Sequence, residues 1–262
     1  PWENLRQGKV GSGQVSRTAF RVPEGSLEFW EDRFDDYGVD YEDRVERFGE
    51  TVLPFYDPDG LPVELVEVEI QEDDPTVPWT EFVPEDAAIR GFHSVTLWLA
   101  DPQRTEEVLR TMGLEEAGTE ESPGDTPGDE RTRFEATGTV GQYVDVLPTI
   151  EGARQGHGTV HHVAFQTPSD DDQIAMRQAV SAQGVRPTQQ IDRHWFHSVY
   201  FREPNGILFE LATSGPGYTS DEQLDELGEK LILPGEFGEQ REQIETGLSD
   251  VTIPRGEAVD AD

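Results

Sequence analysis

The strongest constraint on this chain is a pattern of elements written three times. In the last copy, GTVHHVAFQT (158–167) alternates apolar and polar residues as a strand does. DDQIAMRQAVSAQGV (171–185) then carries apolar residues at helical spacing and ends at a Gly-Val stop. FHSVYFREPNGILFELAT (196–213) reads as two strands joined by a Pro-Asn-Gly turn. The first copy keeps this order: strand QVSRTAFRV (14–22), helix SLEFWEDRFDDYGV (26–39), then TVLPFYDPDGLPVELVEV (51–68). Asp57-Pro58-Asp59-Gly60 followed by LPVE parallels Glu203-Pro204-Asn205-Gly206 followed by ILFE. A fainter copy runs from GFHSVTLWLADP (91–102) through RTEEVLRTMGL (104–114) to GQYVDVLP (141–148).

Aligning HHVAF, SRTAF and HSVTL puts His162, Arg17 and Ser94 at equivalent places. Their counterparts on the last strands are Glu210, Glu64 and Asp145, at separations of 48, 47 and 51 positions. Each unit is therefore a βαβββ module, and the expected class is α+β, with repeated modules forming curved mixed sheets. One module cannot bury both its sheet and its helix. Pairing two modules makes a curved sheet around a cavity. The expected divisions are 1–13 (the end of an earlier module), 14–70, a linker over 71–88, 89–150, 156–215 with the metal ligands, and a helical tail over 216–262. GTEESPGDTPGDERTR (118–133) reads as a solvated insertion. In the tail, SDEQLDELGEKL reads as a helix capped by Ser220, and GEQREQIETGL as a second helix packed outside.

Composition narrows the partners. With 55 acids against 20 bases the chain carries a formal charge of -35. That excludes a general nucleic-acid binder, which needs a basic surface, and disfavours docking on anionic membrane lipid. Lys9 and Lys230 are the only lysines. An acid-rich, lysine-poor surface suits the cytoplasm of a halophile, where salt screens the self-repulsion. The absence of cysteine removes disulfides, thiolate metal sites and a cysteine nucleophile.

The chemistry concentrates in the last copy. Strand alternation allows only one of His161 and His162 to face the cavity, and the repeat register pairs His162 with Glu210. Imidazole plus carboxylate suits a divalent first-row metal. A third protein ligand is expected for a facial triad. Histidine in such a place is ordinarily structural, but the other copies carry Arg17 and Ser94 there, neither an ordinary metal ligand, so only the third copy keeps the pair.

These residues resemble the vicinal oxygen chelate superfamily of glyoxalases, bleomycin resistance proteins and extradiol dioxygenases. Tyr200-Phe-Arg-Glu-Pro204-Asn-Gly206-Ile-Leu-Phe-Glu210 resembles the extradiol signature. GTVHHVAFQT, IDRHWFHSVYFREPNGILFELAT and PGYTSDEQLDELGEKLILP resemble the hydroquinone-type ring-cleaving branch. The resemblance implies Fe(II) held by two histidines and one glutamate. His162 and Glu210 match two of these, and His161, Arg193 and Tyr200 match residues assisting with charge and protons. Ligation alone does not separate Fe(II) from Mn(II). His93, His157, His194 and His197 match no ligand position, although His197 is near enough to Tyr200 in sequence to line the pocket.

The expected reaction is insertion of O2 into a hydroquinone or catechol-like aromatic diol, with a homo-oligomer left open. A metal-dependent lyase or isomerase and a non-catalytic small-aromatic-binding protein are the alternatives. One departure qualifies the match. The family pattern has four modules, the first of which supplies the other histidine, and three are legible here. Pro1-Trp2 followed by GKVGSGQ resembles the join after a first module. The expectation is a chain lacking that module and one iron ligand, weak in metal binding and inactive alone unless another subunit supplies the missing part. An unpaired module would also leave an open sheet edge and an uncovered apolar face.

Overall fold

Strand β1 (Gln14–Pro23) opens the first unit of this computed structural model, which describes residues 6–121 and 130–248. Helix α1 (Leu27–Tyr37) follows because Leu27, Trp30 and Phe34 recur on one buried face. Gly38 stops it in the left-handed conformation at φ 65°, closing back on Phe34 and Asp35. The unit is completed by β2 (Val45–Arg47), β3 (Glu50–Tyr56) and β4 (Pro62–Val68).

The second unit repeats the order as β5 (Phe92–Leu99), α2 (Pro102–Thr111), β6 (Glu115–Glu121), β7 (Glu130–Glu135) and β8 (Tyr143–Pro148). Pro102 starts α2, where its missing N–H costs nothing. The third comprises β9 (Val163–Thr167), α3 (Asp170–Ala182), β10 (Ile191–Asp192), β11 (His197–Arg202) and β12 (Leu208–Thr213). Ser169 caps α3 by accepting from the Asp172 N–H, and Asp170, Asp171 and Asp172 place negative charge against the helix's positive end. Gly60 and Gly206 hold positive φ at the corresponding turns of units one and three, as the matched turn sequences require.

In every unit the first strand runs parallel to the last, β1 with β4, β5 with β8 and β9 with β12. The register repeats too. Glu64 lies opposite Ala19, Asp145 opposite Thr96 and Glu210 opposite Ala164. Each partner is two residues beyond the aligned Arg17, Ser94 and His162, so the three carboxylates occupy one structural position. All three are buried.

Units one and two join through antiparallel β1 and β5 into an eight-stranded sheet ordered β2-β3-β4-β1-β5-β8-β7-β6. Unit three forms a separate four-stranded sheet, β10-β11-β12-β9, with β9 at its edge. It is nevertheless fastened to unit two. Leu97, Leu109 and Val146 share one apolar cluster with Val199, Phe209 and Leu211. At the rim, Glu203 is buried and accepts from Thr105 and from the Ile207 N–H, the latter at 2.8 Å. Asn205 grips the start of α2, donating to the Asp101 carbonyl at 2.8 Å and accepting from its N–H at 2.9 Å.

Four expectations need correction. The stretch read as a solvated loop over 118–133 contributes strand at both ends, with Thr119 opposite Thr132 and Gly118 opposite Arg133; residues 122–129 lie outside the described part. The tail has no helix over SDEQLDELGEKL, only short 3-10 turns at Tyr218–Ser220 and Leu224–Glu226. Ser220 donates its hydroxyl to the Gly217 carbonyl and caps nothing. The tail's described α-helix is α4 (Arg241–Gly247), with no buried residue; residues 249–262 lie outside the described part. Finally, the inner surface of unit three carries His162, Ser198, Tyr200 and Glu210, so the face beside the open edge is polar at its centre. No helix among the described residues is long and apolar enough to cross a membrane.

Candidate active site

The three equivalent carboxylates differ in what answers their charge. Glu64 in unit one takes Arg47 at 2.6 Å, with Arg17 at 3.7 Å. Asp145 in unit two takes Arg133 through Nε at 2.8 Å and Nη2 at 3.0 Å, and Arg131 at 3.2 Å. Arg133 continues to Glu50 at 2.6 Å, which also meets His93 at 3.0 Å. Burial works against the Arg133 charge, but Asp145 and Glu50 outweigh it and raise the guanidinium above its ordinary pKa. Burial alone would raise Glu50, yet hydrogen bonds from His93 and Arg133 hold it below the usual carboxylate value. The cavity side of units one and two is thus crossed by internal ion pairs.

Glu210 in unit three is built differently. Its Oε2 lies 2.9 Å from His162 Nε2, and its Oε1 accepts the Ser198 hydroxyl at 2.5 Å. The neighbours recorded for its carboxylate are an imidazole and a hydroxyl, with no guanidinium among them. Metal–nitrogen and metal–oxygen bonds of about 2.0–2.2 Å place two ligands at right angles about 3 Å apart, so the pair fits part of a first-row metal's shell. The same distance serves a hydrogen bond in the metal-free protein. Among the described residues no group of three or more His, Asp or Glu is gathered that could hold a metal. The structure thus brings together two of the expected ligands.

The remaining candidates surround this pair. Tyr200 lies directly opposite Glu210 across β11 and β12. Its ring stands edge-on to the His162 ring, 6.2 Å between centroids. The Arg193 guanidinium lies 5.4 Å from the Tyr200 ring centroid, in cation–π range. His161 and His162 do not take opposite faces, because β9 begins only at Val163 and strand alternation has no hold on them. Their Nδ1 atoms meet at 2.9 Å, leaving His162 Nε2 for Glu210. His197 does not line the site. It points to the other side of β11 and bonds Asp170 at the start of α3, 2.6 Å away.

Two contributors escaped the sequence reading. Ser198 carries no motif, and only its register, two residues before Tyr200 on β11, marks it as facing the same way. Asp221 binds the loop beside Arg193, meeting His194 Nε2 and Trp195 Nε1 at 2.7 Å each. His194 holds φ 74°, unusual for a side chain of its size, and the Asp192 side chain supports it by accepting from its N–H at 2.7 Å.

Comparison with known proteins agrees with this geometry. The family profile described as "Glyoxalase/Bleomycin resistance protein/Dioxygenase superfamily" matches residues 23–211. The chain is 40% identical over 252 residues to MhqO of Bacillus subtilis, a protein provisionally named as a ring-cleaving dioxygenase, covering 95% of this chain and 77% of that one. It is 32% identical over 252 residues to the chlorohydroquinone/hydroquinone 1,2-dioxygenase of Sphingobium indicum, covering 94% and 76%. A crystal structure of a provisionally named dioxygenase from Bacillus subtilis superposes with a TM-score of 0.86 at 38% identity, over 97% of this chain and 79% of that one.

Proposed function

This chain belongs to the glyoxalase/bleomycin resistance protein/dioxygenase superfamily, and on that footing we propose that it is a ring-cleaving dioxygenase acting on a hydroquinone or catechol-like diol at a non-haem iron. One observation carries the reading beyond the family. Of three buried, structurally equivalent carboxylates, Glu64 and Asp145 are answered by arginine and Glu210 by histidine and a neutral hydroxyl. Guanidinium partners answer the charge of the first two acids, whereas Glu210 faces an imidazole, a group that a first-row metal takes as a ligand alongside a carboxylate.

His162 and Glu210 would hold the metal. Bound Fe(II) supplies the electron path between diol and dioxygen. The chain's own residues supply the setting. His161 at His162 Nδ1 fixes which ring nitrogen is free to ligate. Arg193, over the Tyr200 ring, brings positive charge beside the site, which would stabilise a deprotonated diol bound there. The Tyr200 hydroxyl can donate to or accept from a phenolic oxygen. The Sphingobium indicum relative named for chlorohydroquinone and hydroquinone supports this substrate class.

The test is oxygen uptake by full-length protein, reconstituted without air, across a panel of hydroquinones and catechols. Uptake that requires both Fe(II) and a dihydroxybenzene is expected. Turnover of a substrate without oxygen consumption would indicate lyase or isomerase chemistry, and diol binding without stoichiometric iron would indicate a binding protein. Either result refutes the dioxygenase reading.

A further inference from the structure

We infer that Ser198 is a positioning residue that aims Glu210 at the metal, an inference that rests on the metal reading above. Ser198 has no exposed surface. Its backbone is pinned between neighbours on both sides, opposite Ile191 in β10 and Ala212 in β12. From that fixed place its hydroxyl donates to Glu210 Oε1, while Oε2 faces His162. The two carboxylate oxygens therefore have separate tasks. A free carboxylate turns easily about its last bond and presents either oxygen. Here one oxygen is held from the strand side, which directs the other toward the imidazole.

The repeat explains why a serine stands there. Arg133 faces Asp145 as Tyr200 faces Glu210, so two residues earlier Arg131 and Ser198 are equivalent. Arg131 Nη1 also reaches its acid, Asp145 Oδ2, at 3.2 Å. Both positions thus donate to the last-strand carboxylate. Arg131 does so with a full positive charge, which answers the acid in place. Ser198 does so with a neutral dipole, which fixes the acid and leaves its charge for a cation. Unit one places Val52 at this point, opposite Val66 just as Ser198 is opposite Ala212, and draws its positive charge from Arg47 instead. Among the three units, only the third combines a donor at this position with no added charge.

The experiment is a Mn(II) titration of full-length protein, following the electron paramagnetic resonance signal of free Mn(II), for wild type, Ser198→Ala, Ser198→Thr, Glu210→Gln and the Ser198→Ala/Glu210→Gln double variant. Ser198→Ala is expected to weaken Mn(II) binding about 10–100-fold, as loss of a supporting bond to a ligand does. The loss also leaves a buried Glu210 oxygen without its donor, so the variant's metal-free urea midpoint should fall while it remains folded. Ser198→Thr keeps the hydroxyl and should retain most of the affinity. In the Glu210→Gln background, Ser198→Ala should cost nothing further. Unchanged binding in Ser198→Ala overturns the inference, as does equal loss in a well-folded Ser198→Thr, which would assign the effect to packing. A wild type that takes up no Mn(II) or Fe(II) overturns the metal reading itself, and this inference with it.

Discussion

Replacing Asp145 by Asn isolates the worth of one buried charge without changing shape. Asp145 accepts three hydrogen bonds, two from Arg133 and one from Arg131, and the side chains of all three residues are at most 6% exposed. Asn keeps one acceptor oxygen but turns an N–H donor toward guanidinium donors. Each bond to a charged group is worth about 1.5–3 kcal/mol net. The bonds are not additive, and breaking a buried ion pair from one side costs about 3–5 kcal/mol. We therefore expect Asp145→Asn to lower stability by about 3–5 kcal/mol, a large part of a typical domain's total of about 5–15 kcal/mol. The equivalent Glu210→Gln, measured without metal, faces an imidazole and a hydroxyl in place of guanidinium groups, and should cost about 1 kcal/mol. The assay is urea unfolding followed by tryptophan fluorescence with a chelator present. Salt of about 1 M screens the exposed charges to about 3 Å and leaves the buried network as the main electrostatic difference. A loss in Asp145→Asn no larger than in Glu210→Gln would refute the claim that the two acids are answered differently.

Two further outcomes follow from contacts described above. The Glu50 carboxyl, held below its ordinary pKa by His93 and Arg133 against the effect of burial, contributes stability that is complete above the unfolded-state value of about 4.3. This contribution is lost as pH falls through the lower folded value, so Glu50→Gln should flatten the acid side of the unfolding-midpoint profile; an unchanged acid limb contradicts this. Asn205→Ala removes the amide that both donates to and accepts from Asp101 at the start of α2. It should cost about 1–3 kcal/mol in urea unfolding; an Asn205→Ala midpoint equal to wild type would show the contact to be idle.

The repeat could be read from sequence because it leaves a regular trace. The three spans from first to last strand nearly match, and the turns at Asp57–Gly60 and Glu203–Gly206 are spelled alike. The arginine pairs could not be read. Arg131 and Arg133 alternate with Thr132 along β7, so a buried face looks like a charged, exposed one, and the acidic residues of β6 strengthen that impression. Burial of guanidinium depends on Asp145 and Glu50, more distant in sequence. The tail failed for the opposite reason. SDEQLDELGEKL has helical spacing, but Leu224 is 77% exposed. Short segments with no surface to pack against do not hold a helix. In the site, His162 and Glu210 followed from register and Arg193 and Tyr200 from resemblance, while the touching Nδ1 atoms of His161 and His162 depend on where β9 begins.

The shared apolar cluster beneath units two and three has a consequence for how the molecule comes apart. Two sheets suggest two melting bodies, divided between β8 and β9. Yet Leu97 and Val146 pack in the same cluster as Val199 and Phe209, whereas α1 packs Leu27, Trp30 and Phe34 in a cluster of its own with Leu53 and Leu65. Cooperativity follows the packed core, not the hydrogen-bonded ladder. Because Val15 at the start of β1 belongs to the same cluster, the amide protons of β9, β11 and β12 should exchange together with those of β5, β8 and the first residues of β1, so the break between the two sheets is no early line of opening.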